Sequence, residues 1–310
     1  MFKNTLDNKR YYTLNYYYKK KYNEKVFKIS LNGGFSCPNK QNGNTGCIFC
    51  SPLGSGDFAG NRKDDLVTQF NEVKRVMLNK WPKGKFIGYF QANTNTYDTV
   101  DHLKEMYELI LKQDNVIGLS IATRPDAISD ECLDYLTDLN NRCDLTIELG
   151  LQSIHDETLK LINRGHDYKC FLDCYKKLKD RNIKVVVHII NGLPGETKDM
   201  MIETVKELNK LNIDGIKIHM LYVIKNTKLY DMYKNDKFHI LTKDEYIDIV
   251  VNQLEYLNED VVIHRITGDP VKEDLIEPTW LLKKFCVLND IDKYMVEHDT
   301  YQGKKVKKGE

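Results

Sequence analysis

Apolar residues along this chain follow two alternating patterns. Short β-branched runs recur at VFKISL (26–31), FIGYF (86–90), VIGLSIA (116–122), LTIELGL (145–151), IKVVVHII (183–190) and IDGIKIHML (213–221), each of strand length. Between them the spacing is helical: Met201, Val205, Leu208 and Leu211 fall at i, i+4, i+7 and i+10 and share one helix face. From the second run on, successive runs begin about 30 to 40 residues apart, the length of a strand, a helix and two loops. Near-continuous apolar strands alternating with amphipathic helices predict an α/β fold, a parallel sheet covered by helices. Six units are too few for a closed eight-stranded barrel, so an open, TIM-like partial (β/α)6 barrel is expected, with its ligand site at the C-terminal ends of the strands.

After Lys234 the pattern changes. Thr242 and Glu245 form a capping box for a helix through Leu257, VVIHRI (261–266) reads as one more strand, and the rest reads as helix and basic tail. The expected organisation is a basic, Tyr-rich arm over 1–25, the barrel over 26–235 and a C-terminal α/β extension over 236–310.

With 310 residues and 41% hydrophobic content the chain can bury a large core. A formal net charge of +1 excludes a whole-molecule field that would draw it to nucleic acid or membrane. Charge is concentrated locally: residues 1–28 hold eight Lys/Arg against Asp7 and Glu24, interleaved with six Tyr. Such an arm suits stacking on bases while neutralising phosphates, or equally a helix packed on the barrel with its lysines in water. No run approaches the roughly 18 apolar residues of a membrane span, and the N-terminus lacks a secretory apolar core, so a cytoplasmic protein with no membrane partner is expected.

Eight Cys in a reducing compartment point to metal or catalytic use for some of them. Cys37, Cys47 and Cys50 sit in CPNKQNGNTGCIFC (37–50), a Gly- and Asn-rich loop after the first strand. Zinc would need a fourth ligand, and the loop holds neither another Cys nor a His. Three soft thiolates suit a [4Fe–4S] cluster that keeps one iron open. Cys170 and Cys174 share a helix face but read as small buried hydrophobes.

The Cys-x9-Cys-x2-Cys loop with Phe49 before its last Cys resembles the long-loop variant of the radical S-adenosylmethionine (SAM) superfamily, and the Elongator catalytic subunit has a similar loop. The nearer resemblance is to YhcC/YtqA-type radical SAM proteins. It is carried by KISLNGGFSCPN (28–39), YFQANTNTYD (89–98), LSIATRPD (119–126), ELGLQS (148–153), LINRGHD (161–167), HIINGLPGET (188–197) and VIHRITGD (262–269). The resemblance implies that SAM chelates the open iron and that a 5′-deoxyadenosyl radical abstracts hydrogen from the substrate, with an electron donor such as flavodoxin or ferredoxin.

It also implies roles for particular residues. Phe49 borders the cofactor. Gln91, Asn93, Thr94 and Asn95 occupy the segment after strand two that usually holds the methionine amino group, although this chain lacks the superfamily's Gly-Gly-Glu there, and a plain polar turn is the alternative. Glu148 and Gln152 are placed to reach the ribose; an ion pair with a helix Lys or Arg is the other reading for Glu148. Asn191 and Gly192 follow strand five, where the superfamily approaches adenine, though Gly and Pro also simply make turns. Arg124, Arg164 and His166 are substrate-binding candidates, while His188, His219 and His264 read as satisfied core histidines. By the same resemblance the substrate is expected to be tRNA, at the step from 5-carboxymethylaminomethyluridine towards 5-aminomethyluridine. The alternatives are a small metabolite, or a metal-stabilised RNA-binding protein without catalysis.

Overall fold

In the computed structural model, which describes residues 3–4, 9–41, 43–51, 54 and 58–307, the apolar runs become strands of one parallel sheet. Residues 1–2 and 5–8 of the expected arm and 308–310 of the basic tail lie outside the described residues. Strands β1 (Val26–Leu31), β2 (Lys85–Phe90), β3 (Val116–Thr123), β4 (Asp144–Gln152), β5 (Lys184–Asn191) and β6 (Gly215–Met220) lie side by side in chain order. A short strand β7 (Val223–Ile224) pairs antiparallel with β9 (Leu275–Glu277) outside the sheet. Between them in sequence, β8 (Val262–Arg265) pairs parallel with β6 and is the seventh strand of the main sheet. The last strand of the barrel is thus supplied by the segment expected to be an extension.

Curvature shows in which side chains meet. Lys28 on β1 reaches Glu148 on β4, and Lys217 on β6 reaches both Glu148 and Tyr89 on β2. Strands several places apart can touch only if the sheet curls into a half-barrel with a lumen. Residue alternation then sorts the two faces. Phe27, Ile29 and Leu31 of β1, Leu145, Ile147, Leu149 and Leu151 of β4, and Ile216, Ile218 and Met220 of β6 join the core under the helices. Their alternate neighbours, among them Ser30, Glu148, Gly150, His188 and Lys217, line the lumen. The runs that read as continuously apolar therefore carry a hydrophobic helix-facing side and a polar lumen-facing one.

Helices α2 (Leu66–Lys80), α3 (Val100–Leu111), α4 (Asp130–Arg142), α5 (Asp156–Leu161), α6 (Tyr168–Asp180) and α7 (Lys198–Lys210) fill the connections. Side chains of Asp65, Thr99, Ser129, Asp167 and Thr197 accept from backbone N–H groups at the starts of α2, α3, α4, α6 and α7. On α7, Met201, Val205 and Leu208 are buried, as their spacing predicts. Beyond α8 (Lys228–Lys234), α9 (Lys243–Glu255) opens with the expected Thr242–Glu245 capping box, and α10 (Lys284–Glu297) packs against it.

The basic arm forms a helix, α1 (Leu14–Tyr22), capped by Thr13. Tyr18 is buried against Val26 and Ile87, Lys21 and Tyr22 bond Asp144 at the start of β4, and the Ile263 amide donates to the Tyr12 carbonyl. All these contacts lie at the N-terminal ends of the strands. The arm closes the lower end of the barrel, opposite the cysteine loop, with Lys19, Lys20 and Lys21 turned to solvent. Of its two expected roles the structure displays the packed helix, because tyrosines at this spacing bury more area against the barrel than they would in water.

Candidate active site

The cysteine loop leaves β1 and crosses the upper rim of the lumen. A single 3-10 turn at Pro38–Lys40 follows Cys37, whose carbonyl accepts from the Lys40 amide at 2.9 Å, and a second turn runs from Cys47 to Cys50 at 3.0 Å. Between them Phe49 is partly buried and Ile48 is buried with Leu159, Ile162 and Leu229, its amide and carbonyl bonding Ile162 and Leu229 at 3.1 and 3.0 Å. The loop is thereby pinned to the end of α5 and the start of α8.

A second tether comes from the turn after α5. Asn163 donates to the Gly46 carbonyl at 2.7 Å, and Asn39 donates to the Asn163 carbonyl at 2.7 Å and towards Cys47 Sγ at 3.6 Å. Arg164 places Nη1 3.6 Å from the same sulfur and Nη2 2.6 Å from the Gly150 carbonyl. Gly165 has φ +80°, and a Cβ there would fall 2.5 Å from Asn39 Oδ1, so the turn approaches the loop this closely only with glycine. Arg124 completes the layer, bonding Asp126 through two nitrogens at 2.9 and 2.7 Å and the Arg164 carbonyl at 2.8 Å.

Cys37, Cys47 and Cys50 all line one cavity of about 290 Å³, the scale of a small-molecule cofactor pocket. Among the described residues, no three His, Cys, Asp or Glu side chains converge on a single metal ion. Three thiols spread around a cavity do not make a closed zinc site. They fit a cluster, and the two N–H groups near Cys47 Sγ suit a sulfur that carries negative charge. Burial pushes the Cys50 thiol up, and Lys40 nearby opposes this.

The same cavity gathers Phe49, Gln91, Asn93, Thr94, Arg124, Glu148, Gln152 and Arg164 from the sequence-derived candidates. Gln152 has φ +82°, uncommon for a residue other than glycine, at the point where the β4–β5 register shifts; strain of this kind is found where a side chain is aimed for function. Asn93, also left-handed at φ +60°, donates to the Phe35 carbonyl at 3.2 Å.

Four candidates stand differently from expectation. Asn95 is fully buried behind the rim, where its amide donates to the Ala122 carbonyl at 2.7 Å and braces the turn after β2 against β3. Asn191 turns to the helix side and exchanges hydrogen bonds with Gln253 of α9 at 2.8 Å, and the Gly192 amide lies 3.1 Å from Met201 Sδ, so neither lines the cavity. His166 also lies outside the lining, its imidazole held neutral with a pKa of about 4 by burial and by Arg164. Arg164 reaches the cavity with Nη1 and Nη2 directed at Cys47 and Gly150, while its buried Nε has no hydrogen-bond partner among the described residues.

Sequence reasoning missed the lumen floor. Glu148 is fully buried and accepts from Lys28 at 2.5 Å, Ser120 at 2.6 Å and His188 at 2.7 Å, as well as from Lys217. Its ion-pair partners are strand lysines, not the helix cations expected. Burial alone would raise its pKa, yet Lys217, Lys28 and the His188 hydrogen bond hold the carboxyl well below its usual range. Lys217 is pushed down to about 7 by burial, and Lys28 and Arg265 act in the same direction. The histidines read as satisfied core residues are not all so: His188 and His219 line the cavity, and His264 Nδ1 is buried without a partner. The available signal was one polar residue inside each apolar strand, in FKISL, IELGL, VVHII and IKIHM.

A half-barrel with three thiols at its upper rim and polar side chains converging below them is the arrangement of a radical SAM enzyme. Residues 38–208 match the radical SAM superfamily and residues 213–297 the radical SAM C-terminal domain. The chain belongs to the radical SAM superfamily, whose members use a [4Fe–4S] cluster and SAM. It is 48% identical over 298 residues to YtqA of Bacillus subtilis (strain 168), covering 96% of this chain and 92% of that protein. A shorter match, 34% over 156 residues, is to a tRNA uridine(34) acetyltransferase of Methanocaldococcus infernus, covering 49% of this chain and 29% of that one. The structure of Methanocaldococcus infernus Elp3 with an N-terminal deletion shares the fold, with TM-score 0.66, 21% identity, and 89% of this chain and 64% of that one covered.

Proposed function

We propose that this radical SAM enzyme acts on tRNA, on the side chain of a wobble uridine, at the step from 5-carboxymethylaminomethyluridine towards 5-aminomethyluridine. The observation that supports the tRNA reading is the match to a tRNA uridine(34) acetyltransferase. The basic arm does not add to it, since it lies at the far end of the barrel from the cysteine loop.

Cys37, Cys47 and Cys50 would hold the cluster, with Asn39 and Arg164 donating to Cys47 and the Ile48 anchor keeping the loop against the barrel. A [4Fe–4S] cluster held by these thiolates would supply one-electron reduction chemistry to a bound SAM, which would equip the site to abstract hydrogen from a substrate. Gln91, Asn93, Thr94 and Gln152 offer amides and a hydroxyl that both donate and accept, which suits the amino, carboxylate and ribose groups of SAM. Glu148 lies lower, saturated by its own cations, and serves to set the charge of the floor. The half-barrel walls limit water around the reacting carbon. A flavodoxin or ferredoxin in the cytoplasm would supply the electron.

The test compares tRNA nucleosides from cells with and without the gene. Loss of 5-aminomethyluridine derivatives, with accumulation of the carboxymethylaminomethyl form, is the expected result. An unchanged wobble-uridine profile rejects the tRNA reading in favour of a small-molecule substrate.

A further inference from the structure

The lumen floor carries more positive charge than its own carboxylates balance. Lys28 and Lys217 share the single carboxylate of Glu148. Arg265, at the edge of the same cavity, lies 3.8 Å from Asp269, whose nearer partner is Lys284 at 2.8 Å. His188 and His219 in this cavity, and His264 beneath it, are held neutral first by burial, then by Lys217 for His188, by His188 and Arg265 for His219, and by Lys28 for His264. They therefore contribute no charge of their own, although Glu148 opposes the cations at each of them. His219 faces the cavity with its ring 5.1 Å from that of His188 and is available as a neutral donor.

We propose that this floor is the subsite for a carboxylate carried by the substrate, met by Lys217 with Arg265 and His219 beside it. The proposal rests on the wobble-uridine reading and deepens it, because the carboxymethyl group to be removed there ends in a carboxylate. The cations paired with Glu148 and Asp269 outnumber these two carboxylates, which suits an anionic group. Lys217 is only 7% exposed, at the bottom of a lumen that a base substituent can enter while backbone phosphates remain at the surface. A carboxylate docked against Lys217 would restore its full charge, so binding and protonation support each other.

The experiment is calorimetric titration of the cluster-loaded enzyme, with SAM present, using 5-carboxymethylaminomethyluridine, its methyl ester and uridine 5′-monophosphate. The acid should bind about 10-fold or more tightly than the ester. That advantage should vanish in Lys217→Met and survive in part in Lys217→Arg. Equal affinity of acid and ester in the unsubstituted enzyme, or failure of both to bind, overturns the proposal without reliance on any variant. Preference for the monophosphate assigns the floor to phosphate and overturns it too. If Lys217→Met weakens SAM binding as much as acid binding, the floor serves the cosubstrate instead. The wobble-uridine reading is judged separately on cellular tRNA, so an altered nucleoside profile with no acid preference rejects the subsite alone.

Discussion

Replacing Glu148 by Gln should destabilise the protein far more than a single surface charge would. The carboxylate accepts from Lys28, Ser120, His188 and Lys217 and has no exposed surface on its side chain. Its removal leaves Lys28 and Lys217 without a counter-charge and pushes Lys217, already held down to about 7, further towards its neutral form. Breaking one partner out of a buried ion pair costs about 3–5 kcal/mol, against a total stability on the order of 5–15 kcal/mol. At roughly 2–4 °C per kcal/mol for a chain somewhat shorter than this one, the melting temperature should fall by about 6–20 °C. Thermal or urea unfolding of the apo-protein under reducing, anaerobic conditions measures this directly. The pairing can be isolated by a double-mutant cycle: Glu148→Gln with Lys217→Met removes both charges, and the pair should recover about 2 kcal/mol or more relative to the sum of the single changes. A Glu148→Gln variant within about 1 kcal/mol of the parent, or strictly additive single changes, would refute the view that one carboxylate holds the strands together across the lumen.

Changing Cys37, Cys47 or Cys50 to Ala should abolish both the brown colour after reconstitution and 5′-deoxyadenosine formation. Cys170→Ala and Cys174→Ala should abolish neither; burial pushes the Cys174 thiol up to about 12, and a strong thiolate ligand there would contradict the assignment. Arg164→Met removes an N–H donor near Cys47 Sγ, so the cluster's midpoint potential should drop by about 40 mV in an EPR-monitored redox titration, taking about 1 kcal/mol for the lost bond; an unchanged potential argues that Arg164 does not act on the sulfur. His188 is depressed from 6.5 to about 4, by burial and by Lys217, so it stays neutral in the fold while the unfolded chain takes up a proton below pH 6.5. Stability should therefore be lost as pH falls through that window, by about 2 kcal/mol at pH 5 from this group alone, and a urea midpoint equal at pH 7 and pH 5 would contradict it.

The parts of this protein legible from sequence are those whose determinants are close in the chain. Each apolar run names its strand, Thr242 and Glu245 name the start of α9, and three cysteines within fourteen residues name the cluster loop. What escaped is set by contacts across long loops. Arg164 reads as a substrate ligand because nothing local shows that it lies 3.6 Å from a sulfur 117 positions away. The arm reads equally as an RNA-binding element and as a packed helix, because its composition does not reveal that Tyr18 is buried against Val26 and Ile87.

The lumen floor is the instructive intermediate case. Lys28, Glu148, His188 and Lys217 each look like an isolated polar intrusion in an apolar strand, and in isolation each invites a structural explanation. Period-two alternation puts all four on the side opposite the helix-facing core. Alternation alone leaves open whether that side is covered by more helices or faces a lumen; the curl that brings the four side chains together is seen only in the structure. Two lysines share one carboxylate in that space, and burial together with this shared pairing is why Lys217 is held down to about 7 while Glu148 stays ionised.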